Sequence, residues 1–151
     1  MKLKHLTTAL AAVGAAFIIY VGLSYVLAPQ ATAADFGLPT WPQHEGTAFL
    51  AVKGVRDIAT GLVILALLLT GHRRALGWAM AAIAFVPLGD AVIVLNSGGN
   101  AATALGVHGS TAAAVLLTAV LLLRERRTAA GLRDGSGSGS GSANTPEAAA
   151  V

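Results

Sequence analysis

Five ionisable side chains lie well inside the apolar stretches of this 151-residue chain: Lys53, Arg56, Asp57, Asp90 and His108. A charge in hydrocarbon costs a few kcal/mol or more, so such residues usually face a protein interior and mark either a site or a paired polar core. Lys53, Arg56 and Asp57 are spaced i, i+3 and i+4 and share one helical face, which Thr60 and Gly61 extend. Three chemistries suit the set. A site for a small lipophilic ligand would use Arg56 as the fixed cation. Lys53, Asp57, Asp90 and His108 would surround the ligand's polar end, and Tyr20 and Tyr25 would be walls. A membrane-embedded enzyme would use Asp90 and His108 as an acid/base pair, with Arg56 or Lys53 stabilising developing negative charge. A proton-linked transporter would use Asp57, Asp90 and His108 as a titrating relay. Against these stands a purely structural polar core, in which Lys53 and Arg56 offset Asp57 and Asp90. Five ionisable groups are a costly way to fix helix register when Ser, Thr and small residues suffice.

Other chemistries are excluded by what the sequence lacks. There is no cysteine, hence no disulfide, thiolate metal site or Cys nucleophile. No HxxxH, ExxH or GxxxxGK motif occurs, and nothing resembles a Ser-His-Asp triad. No cofactor and no metal site are expected; His44 and Glu45 are the residues that could join His108 on an ion, a weak pattern.

The elements that must position these residues are helices. The chain is 55% hydrophobic and 11% charged, where a soluble domain carries about 25% charged residues. Its mean hydropathy is +0.70. Apolar segments fall at about 6–28, 47–70, 75–95 and 101–123. Each is long enough, at about 1.5 Å per residue, to cross about 30 Å of hydrocarbon. Alternation is absent and Ala and Leu dominate. The expectation is therefore an all-α, four-helix transmembrane antiparallel bundle over residues 1–126, followed by a disordered Gly/Ser-rich tail over 127–151. A Gly/Ser run such as 135–142 builds no core.

The pI near 9.8 does not imply nucleic acid, because the basic residues sit at the ends of the apolar spans. Lys2 and Lys4 precede the first span, Arg73 and Arg74 lie between the second and third, and Arg124, Arg126, Arg127 and Arg133 follow the fourth. The connections 29–46 and 96–100 hold no Lys or Arg. The positive-inside rule then places a multi-pass protein in the cytoplasmic membrane with both termini cytoplasmic. Ala31, Thr32 and Ala33 resemble a signal-peptide cleavage site, but the preceding apolar stretch is about twice the usual 7–15 residues. The partners expected are the lipid bilayer and a small lipophilic ligand, with a homo-oligomer left open.

Antiparallel spans bring the polar residues to one layer. Lys53, Arg56 and Asp57 lie about 9–15 Å below the outer end of the second span, with Asp90 and His108 at roughly 7–10 Å in theirs. Arg56 is expected to pair with Asp57 or Asp90, since an unpaired buried charge is too costly. Pro87 deprives the Ile83 carbonyl of a donor close to Asp90. Gly106, Ser110 and Ala114 form a small-xxx-small ridge suited to helix packing. Phe36, Leu38 and Trp41 suggest that the 29–46 connection caps the bundle. The apolar inner segments 62–69, 79–84 and 116–123 argue for a pocket opening outward or sideways rather than a pore.

Four segments together resemble a known family: 51–61 (AVKGVRDIATG), 67–82 (LLLTGHRRALGWAMAA), 85–94 (FVPLGDAVIV) and 105–112 (LGVHGSTA). Their KGxRD, PxGD and HG elements, with FGLP at 36–39, are similar to domain of unknown function 4267. That family comprises small four-helix membrane proteins common in actinobacteria, and the likeness covers about residues 8–124. The resemblance implies a four-helix membrane protein and transfers no reaction. The architecture is loosely similar to DoxX-like four-helix proteins, by fold analogy alone. It differs from small multidrug exporters in lacking a carboxylate in the first span.

Overall fold

The computed structural model describes residues 2–137, with side-chain environments over residues 3–125. The remainder of the Gly/Ser tail lies outside the described residues. No strand occurs among the described residues, so the chain is all-α.

The helices group into four rods. The first is α1 (Lys2–Leu27), which stops before Pro29. Pro29 opens a short helix, α2 (Pro29–Ala34), where its missing N–H costs nothing. The second rod is α3 (Thr47–Leu69), entered through a single 3-10 turn at His44–Gly46. Gly71, at φ +73°, makes the left-handed turn into the third rod. This rod is α4 (Arg73–Ile83) followed by α5 (Phe85–Asn96), with a break at Ala84. The break lies where Pro87 removes the donor owed to Ile83, and the next bond, from the Leu88 N–H to the Ala84 carbonyl, is stretched to 3.4 Å. The fourth rod starts with α6 (Ala101–Thr103), whose first turn is capped by the Asn100 side chain accepting from the Thr103 N–H at 3.1 Å. It widens into a π turn at Ala104–Gly109 and continues as α7 (Ser110–Gly137), past the expected boundary near 123.

Among the described residues, three helices are long and apolar enough to cross a membrane: Leu3–Leu27, Arg73–Asn96 and Ala101–Glu125. The 23-residue α3 is nearly as long but carries Lys53, Arg56 and Asp57. Large apolar side chains such as Val13, Phe17, Phe49, Leu62, Phe85 and Leu116 stand exposed around the rods, a surface compatible with lipid contact.

The bundle has a loop end, which carries residues 35–46, and a terminal end, which carries Lys4 and Glu125. In the terminal half, α1, α3, α4 and α7 share one apolar core built on Ala11, Ala15, Ile64, Leu76, Met80, Ala119 and Leu122. Within the bundle α1 packs along α3, and α4 along α7. Glycines set the α1–α3 distance. A methyl group at Gly22 would lie 2.6 Å from the Gly54 carbonyl, and one at Gly61 would lie 2.9 Å from that of Ala15. The expected ridge of Gly106, Ser110 and Ala114 is not a packing surface within the chain, because all three residues are exposed. The close seam is Gly22, Gly54 and Gly61 instead.

Toward the loop end the rods part. Among the described residues no Cα of α3 comes within 8 Å of α5 or of the π turn, and none of α1 comes within 8 Å of α5. Packed helices at 8–10 Å between axes would bring Cα atoms within that range. The loop end is therefore a cleft between an α1–α3 pair and an α5–π-turn pair.

Candidate functional site

The i, i+4 spacing of Lys53 and Asp57 is realised as an ion pair: Lys53 Nζ lies 2.7 Å from Asp57 Oδ2. Asp57 is buried and Lys53 half-buried. The same ammonium stands 4.7 Å from the centroid of the Tyr25 ring and 5.6 Å from that of Phe36, so aromatic faces replace part of its water. Tyr25 is brought there by the α1–α3 seam, where a methyl group at Gly54 would lie 2.9 Å from its Cβ.

Across the cleft, His108 is buried on the π turn. Its Nε2 lies 2.9 Å from the Phe36 carbonyl oxygen, and its ring stacks at a tilt on the Phe36 ring, 4.6 Å between centroids. A carbonyl only accepts, so Nε2 carries the hydrogen and Nδ1 keeps its lone pair as an acceptor. A π turn inserted in an α-helix is often found at functional sites. Asp90, half-buried on α5, lies within electrostatic reach of Lys53, His108 and Asp57. Among the described residues nothing hydrogen-bonds its carboxylate. It is not hydrogen-bonded to His108.

The loop places Phe36 where it joins both sides. Gln30 Nε2 donates to the Pro42 carbonyl at 2.9 Å and to Thr47 Oγ1 at 2.7 Å, while Trp41 Nε1 donates to Gln30 Oε1 at 2.8 Å. On the far side the Asn100 N–H donates to the Gly37 carbonyl at 2.8 Å. The loop is thus tied to α2 and α3 at one side and to the start of the fourth rod at the other. Gly37, at φ +100°, allows the bend. A shallow groove of about 520 Å³ lies beside it, lined by Asp35, Gly37, Pro39, Gly99, Asn100 and Thr103 among others. None of the five ionisable residues lines this groove, so it is separate from the cleft.

Two expected members of the site fall elsewhere. Arg56 does not pair with Asp57 or Asp90. It is exposed and, among the described residues, forms no ion pair, because Lys53, one turn earlier, holds Asp57. Tyr20 is 67% exposed and faces away, whereas Tyr25 is 3% exposed. Five residues apart on a helix, the two tyrosines point in different directions, and the Gly22–Gly54 contact decides which is turned inward. With Arg56 outside, the cleft holds two carboxylates and one fixed cation. No group of three metal-ligating side chains occurs among the described residues, so His44 and Glu45 do not join His108.

A second polar centre, at the terminal end, is not legible as such in the sequence. Arg73 Nε and Nη2 meet the two Glu125 oxygens at 2.7 and 3.0 Å, and Nη1 donates to Thr8 Oγ1 at 3.0 Å. Nη2 also donates to Thr7 Oγ1 at 2.6 Å, and the Thr7 hydroxyl donates to Glu125. In sequence Arg73 reads as an orientation signal. The nearby Glu125, among four arginines, is the only hint of a clamp.

Comparison with known families agrees with the motifs. The family model described as Domain of unknown function (DUF4267) matches residues 15–122. The chain belongs to this family. No curated protein and no solved structure matches it. The DUF4267 match includes all five ionisable residues together with Tyr25 and Phe36. It includes Arg73 but neither Thr7 nor Glu125, so the terminal clamp is only partly inside it.

Proposed function

We propose that this DUF4267 member is a four-span antiparallel protein of the cytoplasmic membrane, with both termini cytoplasmic, that binds a small lipophilic ligand between α3 and α5. The observation that carries the reading is the separation of those helices at the loop end. Lys53 and Asp57 stand on one side of the gap, and Asp90 and His108 on the other. A gap lined by apolar helix surface with a few convergent polar groups is the usual form of a small-molecule site. Tyr25 and Phe36 supply aromatic walls, and the packed terminal half supplies the floor. Asp90 and His108 Nδ1 are the groups left to receive a ligand's polar end.

The absence of cysteine makes access measurable. With the cleft open toward the outer face, a membrane-impermeant thiol reagent added outside labels His108→Cys and spares Ala119→Cys. The neutral lipophilic dye 1-N-phenylnaphthylamine slows the first reaction. Equal labelling of both positions would mean a water-filled path through the terminal half and would overturn the reading. Labelling of His108→Cys that the dye leaves untouched would remove the ligand from it.

A further inference from the structure

Resting on the ligand-binding reading above, we infer that the cleft takes a lipophilic cation and gives up one proton to water as the cation enters. The inference comes from where Arg56 points. Counted from sequence, Lys53 and Arg56 balance Asp57 and Asp90. In the folded chain Arg56 is exposed on the outside of α3, and Lys53 is committed to Asp57 at 2.7 Å. Asp90 is left without a fixed cation of its own.

The charged and titratable groups within electrostatic reach of Asp90 are Lys53 and Asp57 on α3, His108 on the π turn and Tyr25 on α1. The ionisable residues of α4 and α7, Arg73, Arg74, Arg124 and Glu125 among them, lie at the terminal end, and α6 has none. An uncompensated charge beside hydrocarbon is strongly disfavoured. In the absence of a cation, Asp90 therefore carries a proton. A permanent cation entering the gap does what that proton does. It neutralises Asp90, and the proton leaves to bulk water so that the total charge is unchanged. Tyr25 and Phe36 already accept one cation on their faces, that of Lys53. A lipophilic anion cannot replace that proton and gains no opposite charge in the gap.

A matched pair of ions tests this. Tetraphenylphosphonium and tetraphenylborate have nearly the same size and shape and opposite charge. With the full chain in lipid nanodiscs, the phosphonium should bind, with about one proton released per ion in weakly buffered solution. Its affinity should rise by up to about tenfold per pH unit while the site is protonated, the limit for one linked proton. The borate should not bind. Asp90→Asn should abolish proton release and weaken phosphonium binding by about tenfold or more, while Arg56→Gln should leave both unchanged. Binding of the borate or of 1-N-phenylnaphthylamine as tightly as the phosphonium would overturn the cation inference and leave the ligand-binding reading standing. Phosphonium binding without proton release would overturn the exchange. Failure of all three compounds to bind the wild-type protein would overturn the inference and the ligand-binding reading together. These comparisons need no variant to fold.

Discussion

Arg73 at the terminal end and Lys53 at the loop end are both cations set among apolar helices, and they are used differently. Arg73 meets Glu125 through two parallel hydrogen bonds and also binds Thr7 and Thr8, so three rods, α1, α4 and α7, are held at one point. Such a fork-to-fork pair is among the stronger polar contacts, and here each of the guanidinium nitrogens is used. Lys53 holds one oxygen of one carboxylate on its own helix and leans on two rings. Nothing in that pairing ties α3 to α5. The backbone differs in the same sense, since the rods are packed beside Arg73 and stand apart beside Asp90. A saturated, half-buried pair fixes register; an incompletely saturated one beside a gap keeps polar capacity for something that enters.

The contrast can be broken by substitution, with stability read from unfolding in detergent. The largest effect is expected at the clamp. Arg73→Ala strands Glu125, whose side chain is only 12% exposed, and should cost about 3 kcal/mol. The double change Arg73→Met with Glu125→Leu should recover much of that loss. A double variant as unstable as the single one would show that the helices are held there by something other than the pair.

An intermediate effect is expected for Lys53→Met. Asp57 is left buried without its one ion-pair partner, and no second rod is released, so the loss should be about 1–2 kcal/mol. A cost equal to that at Arg73 would place the loop-end pair in the same structural class as the clamp.

The smallest effect is expected for Asp90→Asn, which removes a carboxylate that forms no hydrogen bond among the described residues and should shift stability by less than about 1 kcal/mol. A loss of several kcal/mol would mean that Asp90 is part of a structural polar core, and the ligand reading would lose its basis.

Much of this arrangement is legible in the sequence because it depends on spacing along one helix. The all-α class follows from long apolar runs that lack alternation. The Lys53–Asp57 pair follows from i, i+4 geometry, and the break after Ile83 follows from Pro87. The meeting of His108 with the Phe36 loop is legible only as a shared layer. The atom that His108 touches is a backbone carbonyl, and no residue type announces that.

By itself the sequence determined where the four long apolar helices run, which of their residues share a face, and how far along each rod the ionisable groups lie. Those are local properties of a 3.6-residue period. The sequence did not announce α2 or the extension of α7 to Gly137. Only the tertiary structure decided which face of each rod turns inward, because rotation about a helix axis is set by the neighbour and not by the helix. Closest approach at Gly22, Gly54 and Gly61 turns Tyr25 and Lys53 into the bundle and leaves Tyr20 and Arg56 outside. The same rotation changes a balanced cluster into one with a carboxylate in excess. The π turn that presents His108 and the parting of α3 from α5 likewise depend on packing between rods distant in sequence, which no local pattern encodes.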